Sequence, residues 1–150
     1  MTEAGGAVRR AKFAELDAAT LYAILQLRVD VFVVEQHCAY RELDGRDTEP
    51  TTQHLWIDHD GAIGAYLRLL VPADRSARIG RVVTAPSWRG RGAAQRLVRA
   101  ALDEVRGPVV LDAQAHLQRW YERIGFLVSG PAFVEDGIAH VPMALDTVRW

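Results

Sequence analysis

The chain has 150 residues, which suits one domain around one core, and it is 49% hydrophobic and 25% charged, which excludes a disordered chain. A formal net charge of -1 lacks the basic excess of a nucleic-acid binder, and no apolar run has the length to span a membrane. The one cysteine, Cys38, excludes an internal disulfide, and residues 1–10 hold no signal-peptide core, so a cytoplasmic protein is expected.

Residues 1–7, with Gly5 and Gly6, are expected to be frayed, and a short strand follows over 8–13. Asp17 can cap a helix starting at Ala18, because its carboxylate accepts free backbone N–H groups. Leu21, Ile24, Leu25, Val31 and Phe32 recur at helical spacing. Arg28 and Glu35 stand seven residues apart and share that apolar face if the helix continues. A charge there needs a partner or a polar cavity. Arg28 reads better as half of an internal ion pair. For Glu35 an ion pair, a helix ending before Val33 and a place in a substrate pocket stay open.

Residues 37–50 are polar, with Asp44-Gly45 and Pro50 as turn signals, and read as a long loop. Residues 52–58 alternate as a strand, Asp60-Gly61 is a tight hairpin turn, and 62–70 is the returning strand. A strand over 78–84, an amphipathic helix over 93–105 and a short apolar strand over 109–113 come next. Leu117, Trp120, Tyr121 and Ile124 form one face of a last helix that ends at Gly125, and strands follow over 126–129 and 140–145. The order is mixed α/β, an antiparallel hairpin first and a strand–helix–strand–helix unit later.

The chemistry concentrates in 79–95, IGRVVTAPSWRGRGAAQ, where a strand enters an Arg/Gly loop that opens into a helix. Free N–H groups and the helix dipole favour an anion at such a start, and Gly90 and Gly92 let backbone approach it closely. The spacing fits neither the P-loop nor the dinucleotide fingerprint. Arg89-Gly90-Arg91-Gly92-Ala93-Ala94 fits the pattern Gln/Arg-x-x-Gly-x-Gly/Ala and resembles the pyrophosphate loop of the GNAT superfamily of N-acetyltransferases. Trp120-Tyr121-Glu122-Arg123-Ile124-Gly125-Phe126 resembles that family's Φ-Tyr-x-x-x-Gly-Phe signature.

The resemblance implies an α/β (α+β) GNAT fold, with a mixed, mostly antiparallel sheet of about six to seven strands flanked by about four helices. It implies that Arg89 to Ala94 cradle the pyrophosphate of acetyl-CoA and that Val82 and Val83 offer backbone groups to the thioester and pantetheine. Tyr121 would then be the general acid toward the sulfur. An asparagine commonly stands seven residues before that tyrosine and contacts the pantetheine, and here the position is Gln114. Leu27 to Gln36, Asp44-Gly45-Arg46-Asp47, His54-Leu55-Trp56, Gln114 to Gln118 and Glu135 to Met143 narrow the resemblance to the ElaA-type branch, in which Gln114 is the expected residue.

Acetyl transfer to an amine needs a base for the amine, donors for the developing oxyanion and a proton for the thiolate. Glu35, His54, Asp112, His116, Asp136 and His140 are the candidates for the base, Glu35 first. Arg28, Glu35, His54 and His140 are the candidates for contacting the acceptor, a small amine or peptide. No ligand spacing suggests a metal. Homodimers are common in the superfamily, although no patch here points to one. Two alternatives remain: a non-catalytic acyl-CoA sensor or partner subunit, and an enzyme using a longer acyl carrier. The Leu-Arg-x-x-Val-Phe run resembles that of acyl-homoserine-lactone synthases.

Overall fold

Asp17 behaves as its position predicts: its Oδ1 accepts the Thr20 N–H at 2.7 Å and starts helix α1, Ala18–Arg28. In this computed structural model, which describes residues 6–147, α1 runs on into a π-helical segment, Val29–Glu35. Widening the turn rotates the side chains after Arg28, so Arg28 and Glu35 do not share a face. Arg28 is fully buried, whereas the Glu35 side chain is 46% exposed. The frayed start expected over 1–7 lies, for residues 1–5, outside the described residues; the Gly6 carbonyl accepts from Arg96.

Strand β1 is Val8–Lys12, and β2, Gln53–His59, joins β3, Ala62–Leu70, through Asp60-Gly61 at φ 51° and 80°. Both residues are left-handed, as a tight mirror-image turn requires. Then come β4 (Ala77–Thr84), α2 (Ala93–Asp103), β5 (Pro108–Gln114), α3 (Gln118–Ile124), β6 (Leu127–Val128), β7 (Phe133–Glu135) and β8 (Ile138–Asp146). The sheet order is β1-β2-β3-β4-β5-β8-β6, with β7 also on β8. Among the described residues that makes eight strands and three α-helices, against the expected six to seven or so and about four. The additional strand β7 meets β8 through Asp136-Gly137, at φ 51° and 75°, a turn of the same kind as Asp60-Gly61.

The sheet has a core on each face. Leu55, Ile57, Leu67 and Leu69 pack with Leu97, Val98 and Ala101 of α2 and with Tyr121 of α3. On the other face Ile24, Leu27, Val31 and Phe32 cover Trp56, Tyr66 and Val83. Among the described residues no helix is long and apolar enough to cross a membrane.

All pairings are antiparallel except β4 with β5, which are parallel and touch only through Ala77–Val109 and Arg78–Val110. Beyond Arg78 the two strands part. Arg81 sits there at φ 54°, and the β3–β4 register shifts between Tyr66 and Arg68. This irregularity bends β4 away from its neighbour. The parting opens the middle of the sheet.

Candidate active site

Among the described residues the Ile79–Thr84 stretch of β4 has no partner strand on its β5 side. It therefore offers a run of backbone donors and acceptors to the cleft, where a peptide-like ligand arm can pair with them. At its end the chain turns through Pro86–Trp88 into the Arg/Gly loop. Trp88 lies flat against Gly64, where a Cβ would come within 2.0 Å of the indole, and the Ala85 N–H donates to the Gly64 carbonyl at 2.8 Å. Gly64 thus docks the start of the loop onto β3.

Gly90 and Gly92 are left-handed, at φ 79° and 77°, and a Cβ at either would meet nothing within 4 Å. The space over the loop is open. Gly92 caps α2 without a side-chain bond, and the first intrahelical bond is from the Arg96 N–H to the Gly92 carbonyl. The amides before Arg96 in the first turn are left for a ligand. Two bare glycines, free amides and the positive end of an 11-residue helix fit a diphosphate.

The cavity over this loop has a volume of about 740 Å³, within the range of ligand sites. Its walls bring together Val82, Val83, Gln114, Tyr121, Glu35 and His140. Arg89, Gly90, Gly92, Ala93 and Ala94 line it as well, whereas Arg91 points to solvent. Gln114 Nε2 donates to Gln36 Oε1 at 3.2 Å, tying the end of β5 to the residue that caps the π segment. Tyr121 is 5% exposed and sits edge-on between Trp120 and Phe126, with centroids at 4.8 and 5.9 Å. Burial pushes its phenol up to about 12.

Glu35 is not a free carboxylate. Its two oxygens accept from Arg89 Nη1 and Nη2, both at 2.9 Å. The Arg89 hydrogen bonds hold its carboxyl below the usual range. Arg89 Nε also donates to the Thr84 carbonyl at 3.2 Å, so the pair ties π segment, loop and β4 together at the cavity mouth.

Arg28 and His54 do not line the cavity. Arg28 is the ion-pair residue its position suggests. Its Nε donates to Glu42 at 2.5 Å, and its Nη1 and Nη2 donate to Asp47 at 2.7 and 3.2 Å. Arg68 reaches Asp44 at 2.9 Å and Asp47 at 3.2 Å, and Arg81 reaches Glu42 at 3.0 Å and Asp44 at 3.2 Å. Three arginines and three carboxylates thus clamp the 37–50 loop onto the sheet. His54 is locked beneath it. Its Nε2 faces the Asp47 carbonyl, which can only accept, so Nε2 carries the proton and Nδ1 accepts from the Tyr66 hydroxyl at 2.6 Å. Burial disfavours the charged imidazole and lowers the pKa of His54.

Sequence reasoning missed Glu42, Arg68 and Arg81. The available signal was Arg68 inside the apolar strand Tyr66-Leu67-Arg68-Leu69-Leu70, a charge that could not be buried alone. Of the remaining base candidates, Asp112 pairs with Arg78 at 3.1 Å, His116 is exposed, and Asp136 sits in the β7–β8 turn.

Residues 20–147 match the family model described as an acetyltransferase (GNAT) domain. A UPF0039 protein of Mycobacterium tuberculosis is 47% identical over 148 residues, 95% of this chain and 93% of the relative. The ElaA protein of Escherichia coli is 38% identical over 142 residues, 90% of this chain and 93% of its own. The crystal structure of an acyl-CoA N-acyltransferase from Pseudomonas aeruginosa matches with a TM-score of 0.86 at 42% identity, covering 92% of this chain and 98% of the other.

Proposed function

This chain belongs to the GNAT acetyltransferase family, in its ElaA-like branch, and on that premise we propose that it transfers an acetyl group from acetyl-CoA directly to a primary amine of a small molecule or peptide. The observation that carries the proposal is the parting of β4 from β5 directly beside the left-handed Gly90–Gly92 loop, with Tyr121 in the wall of the same cavity.

Acetyl-CoA supplies an acyl group activated as a thioester, with a thiolate as leaving group. The Arg89 to Ala94 loop and the first-turn amides of α2 would hold the diphosphate. The unpaired edge of β4 at Val82 and Val83, with Gln114 across the opening, would hold the pantetheine arm. Tyr121, whose phenol burial pushes up to about 12, keeps its proton near neutral pH and can give it to the leaving sulfur. The acceptor would enter over the π segment, from the face opposite α3. Direct transfer needs no enzyme nucleophile. Cys38 is a buried thiol whose nearest acceptors are the Gln36 and Asp136 carbonyls at 3.6 and 3.9 Å.

The test is calorimetric titration with acetyl-CoA, followed by thiol release with a panel of primary amines. The expected result is saturable binding and amine-dependent release. Tyr121→Phe should keep the affinity and lose about 10²-fold or more in kcat. Binding without release by any amine would make the protein an acyl-CoA sensor. Preference for a long-chain acyl carrier over acetyl-CoA would refute the acetyl assignment.

A further inference from the structure

An alkylamine is mostly protonated near neutral pH and must lose a proton before it attacks. Glu35 is badly suited to take it, since both its oxygens are held by Arg89 at the cavity mouth. His140 is held differently. It stands on β8 in register with Gln114 of β5, so the two side chains share one face of the sheet. That face lies under the end of the π segment, as the contact from Gln114 to Gln36, the residue that caps the segment, shows. Tyr121 belongs to the core on the other face. The cavity reaches both His140 and Tyr121 through the parting of the sheet.

The tautomer follows from the partner. Nδ1 of His140 lies 2.8 Å from the Ile138 carbonyl, which can only accept, so Nδ1 carries the proton. In the neutral ring Nε2 is then a lone pair, and it has no hydrogen-bond partner among the described residues. Phe133 stacks on the ring at 5.5 Å and 15°, fixing its plane. His54 has both nitrogens engaged, and Asp112 has Arg78.

We propose that His140, not Glu35, is the general base, with Nε2 taking the acceptor's proton on the face of the sheet opposite Tyr121. The proposal rests on the acyl-transfer function above. The ammonium gives one proton to Nε2. The freed nitrogen pair forms the N–C bond, the C–S bond breaks with its electron pair on sulfur, and the sulfur takes the Tyr121 proton. The second nitrogen proton restores Tyr121, and His140 releases its own to water, so one proton leaves per turnover.

Two readouts test this. Diethyl pyrocarbonate modifies accessible, unprotonated imidazole nitrogens, and peptide mass spectrometry reads each histidine of the free protein. His140 should react at a rate comparable to exposed His59, and His54 should be spared; an unreactive His140 overturns the proposal. The second readout is thiol release from acetyl-CoA with n-butylamine, an ammonium near neutral pH, and with methoxyamine, a free base there. His140→Gln should lower kcat/KM for n-butylamine by about 10²-fold or more and that for methoxyamine by far less. Its calorimetric affinity for acetyl-CoA should stay at the wild-type level. Equal losses with both amines would make His140 structural, and the amine-selective loss appearing in Glu35→Gln instead would give the role to Glu35. A wild type that binds acetyl-CoA and releases no thiol with either amine overturns the transfer function itself, and the base with it.

Discussion

Substituting Gly92 by alanine and by glutamate separates backbone strain from ligand electrostatics. At φ 77° the position is left-handed, which costs an L-residue about 1–2 kcal/mol, and a Cβ there meets nothing within 4 Å. Gly92→Ala should therefore lose only that strain, about 2–8 °C in Tm for a chain of this size. Gly92→Glu carries the same strain, offset by about 0.3–1 kcal/mol because a carboxylate is favourable at a helix N-terminus. The glutamate variant should melt no lower than the alanine one. Coenzyme A binding is another matter. A carboxylate roughly 5 Å from one diphosphate charge, at an effective dielectric of about 20, opposes binding by about 3 kcal/mol, or about two orders of magnitude in Kd. Thermal melts and calorimetry with coenzyme A measure the two effects separately. Pantetheine, which lacks the diphosphate, should bind the two variants alike. Equal coenzyme A affinities for the alanine and glutamate variants would refute the assignment of this loop to the diphosphate.

Arg28→Met removes the donors to Glu42 and Asp47 and leaves two buried carboxylates one cation short, so a loss of about 3–5 kcal/mol is expected in urea unfolding. Wild-type stability in that variant would mean that Arg68 and Arg81 suffice to neutralise the cluster. Acid should weaken the same clamp. Burial opposes ionisation of Asp44, yet the Arg68 hydrogen bonds and the charges of Arg68 and Arg81 lower its carboxyl to about 2, from an ordinary value of 3.8. Asp47 is lowered as well, against its burial, by Arg28 and Arg68. Because the folded values are depressed, their stabilisation is complete above the ordinary value and drains away as pH falls toward 2. Urea midpoints across that window should fall with pH, and Arg68→Met should flatten the dependence. Gly64→Ala would put a Cβ 2.0 Å from the Trp88 ring, expelling the indole at about 1–3 kcal/mol and loosening the loop. Melting and coenzyme A affinity should fall together; if affinity holds while Tm drops, Trp88 does not position the loop.

Much of the fold was legible because its signals are local. Asp17 as a cap, Asp60-Gly61 as a turn and the apolar stripe of α2 each act within a few residues, and all three stand where they were expected. The β7 strand went unseen, although Asp136-Gly137 carried the same turn chemistry as Asp60-Gly61, because three residues, two of them exposed, show no usable alternation. Whether α1 continues to Glu35 stayed open, since a switch from α to π turns leaves no mark in apolar periodicity. The loop of Arg89 to Ala94 and the position of Tyr121 could be read because glycines and an aromatic signature are contiguous patterns. The fates of Glu35, His54 and His140 could not, whereas Arg28 on an apolar face already read as half of an ion pair.

Sequence alone determined the order of the elements apart from β7, the two glycines before α2 and the side chains able to donate or take protons, because these depend on residue type and near neighbours. Only the tertiary structure decided which of those side chains share a cavity. Arg28 and His54 are drawn under the 37–50 loop because buried charges and imidazoles must find partners, and those partners lie 7 to 19 residues away along the chain, on other elements. Glu35 meets Arg89 across 54 residues, and Nε2 of His140 is left free because Ile138 takes Nδ1.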